Sequence, residues 1–427
     1  MTGTAALVVA TGIFIATYIA IMTEKVNRAV IALLGAAIMI FAGIQSQADA
    51  FKGIDLNTIF LLVGMMVIVA ITQKSGVFQF LAIWSAKKVG GRPWPILVVL
   101  AVVTAVLSAL LDNVTTVLLV APVTMLIADA LKVSAYPFLF AQIFACNIGG
   151  TATLVGDPPN ILIGSAAGLS FMDFVIHLAP VTVVIFLATL LPLYLIWGRK
   201  MKVAEEDRER IMEFREGDAI SDRVLLWKSM AVLAGVIAGF TMAHSLHLEP
   251  AIIALTGAVV LLWWSGKDFH HTFGEVEWVT IFFFVGLFML VHGLEKAGLL
   301  NILAGQLADL TRGNLFLAGM VIMWGSAVFS ALVDNIPFVA TMIPIIKGMG
   351  PSFGGDEAIR PLWWALALGA CLGGNGSIIG ASANLIVAGF AERAGQPIRF
   401  LPFMLLAFPL MLFSIAIASL YWWLRYA

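Results

Sequence analysis

Apolar residues run through this chain in blocks of about 17 to 23, separated by short polar stretches, and each block can cross a bilayer as a helix. In the first half the blocks predict helices near 5–22, 28–44 and 57–73. A long apolar stretch over 94–131 follows, interrupted at Asp112 and Asn113, which predicts a re-entrant helical hairpin. The next helix, from about 136, is broken by "GGTAT" at 149–153 and "GDPPN" at 156–160, because glycine and paired prolines disfavour continuous helix. A last helix near 178–197 closes the unit.

The pattern then recurs. "LLDNVTTVLLVAPVTM" at 110–125 is matched by "LVDNIPFVATMIPIIK" at 332–347, so Asp112 corresponds to Asp334 and Asn113 to Asn335 at an offset of 222. Gly35, Thr58, Gly64, Lys74 and Gly76 find Gly257, Thr280, Gly286, Lys296 and Gly298 at the same offset. "GGTATLVGDPPN" at 149–160 aligns with "GGNGSIIGASAN" at 373–384 after a two-residue insertion. The chain thus divides into repeats 1–197 and 225–427, joined by a charged linker, 198–224, that is expected to be a solvated cytoplasmic connection.

An odd number of crossings per repeat makes the repeats inverted. With both termini outside, eighteen of the 24 Lys and Arg residues fall in inside loops, which the positive-inside rule favours. The predicted fold is an all-α polytopic membrane protein of two inverted repeats with about ten transmembrane helices, re-entrant hairpins and broken helices.

Composition agrees: 61% of residues are hydrophobic and 11% charged, with a mean hydropathy of +1.02. A net charge of −1 and the lack of basic, aromatic-interleaved runs exclude a nucleic-acid partner. Cys146 and Cys371 both lie in apolar helices and miss repeat register by one residue, which reads as small core residues. No metal site or cofactor is expected: His270 and His271 have no further ligand at metal spacing. His292 and Glu295 read as interfacial. No nucleophile elbow, HExxH or phosphate loop is present, so neither an enzyme nor intrinsic ATP hydrolysis is supported.

Candidate chemistry lies at the interruptions, where unwound backbone and polar side chains can meet a solute near the bilayer midplane. The tips supply Asp112, Asn113, Thr115, Thr116, Asp334 and Asn335; the broken helices supply Thr151, Thr153, Asp157, Asn160, Asn375, Ser377, Ser382 and Asn384. Either aspartate can act as an N-cap, yet a carboxylate inside a span is costly, and both are read as having a transport role beyond capping. Asp157 has Ala381 as its mate and is harder to place.

"LDNVTT", "NIGGTATLVGDPPN", "LVDNIPFVATMIP" and "ACLGGNGSIIGASAN" resemble the ion transporter superfamily of ArsB arsenite permeases, NhaD-type sodium/proton antiporters and the melanosomal P protein. The resemblance covers essentially the whole chain. It implies a scaffold with a mobile transport unit, a homodimer, and, for an ArsB-type permease of the bacterial plasma membrane, association with a separate cytoplasmic ATPase. The leading expectation is efflux of arsenite and antimonite in exchange for protons. Their neutral trihydroxides suit amide, hydroxyl and carboxyl groups, with proton coupling at Asp112 or Asp334. A sodium/proton antiporter would use the same carboxylates and unwound carbonyls. An anion or dicarboxylate carrier is less favoured because no Arg or Lys lies within the motifs, although half-helix N-termini attract anions.

Overall fold

A computed structural model describes residues 3–23 and 25–426, apart from the side chain at 244. The apolar blocks form α1 (Gly3–Met22), α2 (Arg28–Phe41), the short α3 (Gln47–Lys52), α4 (Leu56–Gln73) and α5 (Val77–Lys88). The first hairpin is α6 (Pro93–Leu110) and α7 (Asn113–Ala130), and the first broken helix is α8 (Tyr136–Thr151) and α9 (Pro158–Ala167). α10 (Phe171–His177) and α11 (Ala179–Leu193) complete this half, and α12 (Glu205–Glu213) lies in the linker.

The second half runs through α13 (Arg223–Leu246), α14 (Pro250–Ser265), α15 (Phe269–Gly274), α16 (Trp278–Lys296) and α17 (Leu299–Leu310). Its hairpin is α18 (Leu315–Leu332) and α19 (Asn335–Phe353), its broken helix α20 (Arg360–Gly373) and α21 (Ser382–Arg393), and α22 (Phe400–Tyr426) ends it. Ten helices among the described residues are long and apolar enough to span a membrane. The fold is all-helical, as the pattern predicts. Each limb of the first hairpin has 18 residues, about 27 Å at 1.5 Å per residue, so a limb is as long as a crossing.

Burial sorts the helices. α8 and α20 are buried along almost their whole length, whereas α1, α11 and α22 expose Ile15, Leu187, Leu191 and Leu405 to the lipid. Between them, α4 packs on α14 and α16 on α2. Both crossings are made at glycine, where backbones approach without an intervening side chain. A Cβ on Gly64 would stand 2.7 Å from the Ala254 carbonyl carbon, and one on Gly286 would stand 2.7 Å from that of Ala32. These are the positions that the 222 offset pairs. Gly64→Ala and Gly286→Ala should each destabilise the protein by about 1–3 kcal/mol through overpacking. Gly12→Ala, with open space around it, should be neutral in the same detergent melting experiment.

The linker is exposed over most of its length, as its charge implies, but it is also docked at defined points. Ile211 is fully buried, Asp207 pairs with Lys132 at 3.0 Å, and Arg208 donates to the Gly90 carbonyl through Nε and Nη2. Lys87 binds both Glu216 (2.5 Å) and the Phe214 carbonyl (2.8 Å) and holds the Glu216 carboxyl below the usual glutamate range. One apolar residue on a charged helix, together with partners offered by α5 and α7, docks the segment. Elsewhere, Lys74 pairs with Glu275 at 3.1 Å near the surface, His271 Nδ1 lies 3.0 Å from the same carboxylate oxygen, and His292 lies 3.6 Å from Glu295.

Candidate functional site: the junction of two tips and two broken helices

Both hairpins break in the same way. Leu111 and Val333 are extended, and Asp112 and Asp334 follow as N-caps of α7 and α19. Asp112 accepts from the Thr115 amide (2.9 Å) and hydroxyl (2.5 Å). Asp334 accepts from the Ile336 amide at 3.0 Å through one oxygen, and its other oxygen receives Ser382 Oγ at 2.7 Å. The capping reading therefore holds for both aspartates. Capping leaves Asp334 with a second set of contacts.

The broken helices solve a different problem, since an interrupted helix frees carbonyls that hydrocarbon cannot satisfy. Asn160 on α9 reaches back, and its Nδ2 lies 3.3, 3.1 and 2.8 Å from the carbonyls of Gly150, Thr151 and Thr153. Asn384 on α21 does the same for Gly374 (2.7 Å) and Ser377 (2.9 Å). The chain passes close to itself at these breaks. A Cβ on Gly156 would lie 2.6 Å from both the Gly150 and Ser108 oxygens, and Gly380 is confined by Gly374 and Ser330 in the same way. Thr153 and Ser377 donate to the Ala109 and Ala331 carbonyls, tying each break to its hairpin. Thr116 and Thr151 bond their own helices.

At the centre the two tips meet on one group. Asn113 Nδ2 donates to Asp157 Oδ1 at 3.1 Å, and Asn335 Nδ2 comes within 3.5 Å of both Asp157 oxygens. Asp157 is fully buried and receives no side-chain cation among the described residues. Beside it, Asn147 donates to Asn375 Oδ1 (3.0 Å) and Asn384 Oδ1 (3.1 Å), linking the two halves. Asn147 Oδ1 and Asn375 Nδ2 are buried with no partner. The thiols lie close by: Cys146 donates to the Asn113 carbonyl at 3.3 Å and Cys371 lies 3.5 Å from Asn160 Oδ1.

The fold adds a cation that the motifs lack. Arg28, the first residue of α2, directs Nη1 to Asp334 (3.1 Å) and Ser382 Oγ (2.5 Å), and Nη2 to Thr280 Oγ1 (3.2 Å), with its guanidinium carbon 5.0 Å from the Phe283 ring centre. The reason for demoting an anionic solute is thereby corrected. Arg28 and Glu277 form a wall shared by two spaces. One is a void of about 10 Å³ against Asp112, Asn113, Asp157 and Asn335, about one water in size. The other is a cavity of about 350 Å³ bounded by Lys25, Arg28, Glu277, Asp334 and Ser382. A second cavity, about 280 Å³, is lined by repeat mates of the 350 Å³ cavity's lining, Pro250 for Arg28, Asn57 for Val279 and Leu61 for Phe283, and includes none of the central residues.

Asp112, Asn113, Asp157 and Asn335 therefore converge on one void, and Ser382 joins them. Asp334 lines the adjoining cavity, while Asn160, Asn384, Thr115, Thr116, Thr151, Thr153 and Ser377 hold backbone or caps. Sequence reasoning missed Arg28, Glu277, Thr280 and Asn147. Asn147 stood in plain view at the head of "NIGGTATLVGDPPN"; Arg28 gave no signal, because its mate is Pro250.

A family profile described as CitMHS, citrate transporter, matches residues 18–369. The chain belongs to the CitMHS citrate transporter family. It is a membrane transporter, and several relatives that match it over 98% of its length are named as uncharacterized transporters. The "uncharacterized transporter Rv2684" of Mycobacterium tuberculosis is 46% identical over 98% of both chains. The P protein of Homo sapiens is 33% identical over 97% of this chain and 59% of its own length. Among solved structures, the YdaH transporter of Alcanivorax borkumensis matches with a TM-score of 0.59 at 15% identity, covering 87% of this chain and 85% of that one. MtrF of Neisseria gonorrhoeae, described as one of a class of antimetabolite efflux pumps, gives a TM-score of 0.61 at 13% identity, covering 91% of this chain and 84% of that one. At those identities the likeness is one of fold.

Proposed function

We propose that this CitMHS member is a proton-coupled secondary carrier of a small anionic solute, with Asp157 as the coupling group. The observation that carries the reading is the seating of Asp157 between the tip asparagines of both halves. An ionised carboxylate fully buried with only neutral partners, the amides of Asn113 and Asn335 and the Cys371 thiol, is costly, and proton uptake relieves that cost. A solute entering beside it would feel whether the proton is there. In this reading the repeats 1–197 and 225–427 are inverted, both termini lie outside a bacterial plasma membrane, and the two repeat-related cavities serve alternate access. Arg28 supports a negative solute, as does membership of a citrate transporter family.

A second reading, export of arsenite or antimonite in exchange for protons, draws on the amide-rich centre and the nearness of the Cys146 and Cys371 thiols to it. A sodium site at the unwound carbonyls has less support, because Asn160 and Asn384 already bond them. The purified protein in liposomes should show counterflow of citrate or another small anion, accelerated by an imposed proton gradient. Counterflow of arsenite alone would favour the second reading. No response to the proton gradient with any solute would overturn the coupling assignment.

A further inference from the structure

We infer that Arg28 and the N-terminus of α21 form a carboxylate clamp, and that Asp334 is its built-in counter-ion, so that Arg28 and Asp334 act on solute affinity with opposite signs. The inference rests on the carrier reading above and names the solute class for it.

A guanidinium carries five N–H groups. Three are engaged: two on Nη1 by Asp334 and Ser382, one on Nη2 by Thr280. Nε and Nη2 are the two nitrogens of the guanidinium's side edge, whose parallel donors match the two oxygens of a carboxylate; Nε has no partner among the described residues, and Nη2 holds only the neutral Thr280 hydroxyl. Asp334 does not fill that edge, since it touches Nη1 through a single oxygen while the other caps α19. The Arg28 side chain is one-quarter exposed and bounds the 350 Å³ cavity, so the edge can be reached.

A second source of donors adjoins it. Four half-helices begin at this junction, and three have no free anion site at their start. α7 and α19 are capped by their own aspartates, and α9 starts with Pro158 and Pro159, which have no N–H. α21 begins after Ala381, with no side-chain cap, and its first residue is Ser382, the hydroxyl that Arg28 touches. Its open amides and positive end lie beside the cation, where a carboxylate is stabilised by both. With Asp334 present, the guanidinium charge is offset by a neighbouring anion. A bound carboxylate is repelled by that same anion, which weakens binding and favours release.

Citrate and succinate are the probes, with half-saturation read from counterflow in liposomes of the full-length protein. Arg28→Gln should raise the half-saturation concentration at least about tenfold, and Arg28→Lys should recover it in part, since the charge is kept and the fork is lost. Asp334→Asn should lower it by about three- to tenfold. Asparagine is an equally good N-cap, so α19 keeps its start, and detergent melting reports whether either variant fails to fold. The clamp is overturned if Arg28→Gln stays within about twofold of the parent chain, or if Asp334→Asn weakens binding alongside it. Proton-driven arsenite exchange with neither carboxylate moved would leave Asp157 coupling in place and sink the clamp. No exchange of any solute would sink both.

Discussion

Asp157→Asn should abolish proton-driven accumulation while solute-for-solute exchange continues. Asparagine has nearly the same shape, so the variant tests charge and proton capacity rather than packing. In the parent chain both tip asparagines present Nδ2 donors to the carboxylate, Asn113 at 3.1 Å and Asn335 at 3.5 Å. A carboxamide at 157 accepts from one of them and must turn its own amide toward the other. A modest loss of stability, about 1–3 kcal/mol from one unpaired donor, is expected alongside the transport defect. Gradient-driven flux should fall by about 100-fold, because among the described residues no other carboxyl group is both fully buried and hydrogen-bonded to the asparagines of both tips. The measurement is uptake into proteoliposomes with and without an inward-acid gradient, beside counterflow at zero gradient. If acceleration by the gradient persists in Asp157→Asn, coupling lies elsewhere, and Asp112 and Asp334 return as candidates.

The contrast between Asp157 and the tip aspartates shows what the sequence could carry. A carboxylate in an apolar run is legible because hydrocarbon penalises it wherever the chain goes, so Asp112, Asp157 and Asp334 all stood out. The repeat was legible for a similar reason: matched glycines at 64 and 286, and matched breaks at 149–160 and 373–384, each meet the same local steric demand. Rank among the carboxylates was not legible. Ala381 as the mate of Asp157 looked like evidence against a shared role, whereas the fold uses one carboxylate to receive an amide from each half. Arg28 and the docked linker escaped for a further reason. Both are polar residues at helix ends, where solvent is the default partner, and only tertiary packing replaces that partner with Asp334 or with α5. The hydroxyls of Thr153 and Ser377 looked like solute ligands and instead donate to hairpin carbonyls.

Asn160→Ala should be among the most destabilising single substitutions in the chain. The Asn160 amide reaches three carbonyls freed by the break after α8, and Asn384 reaches two after α20. Both side chains are fully buried, so water does not readily replace them. Each buried carbonyl left without a partner costs about 1–3 kcal/mol, and losses of about 3–6 kcal/mol approach the whole stability of an ordinary domain. Asn160→Asp should be at least as harmful as Asn160→Ala, because it sets an acceptor, and a charge, against acceptors. Asn384→Ala should be severe but milder, with fewer carbonyls orphaned, although it also removes the acceptor for Asn147. Yield of monodisperse protein and the melting midpoint in detergent rank the three. The same bonds bear on cations. Were these carbonyls a sodium site, the ion would have to displace a side-chain amide that already satisfies them, so the parent chain should melt at the same temperature in sodium and potassium chloride. A sodium-specific rise in the midpoint, lost in Asn160→Ala, would show that the amide and the ion exchange places and would restore the sodium reading.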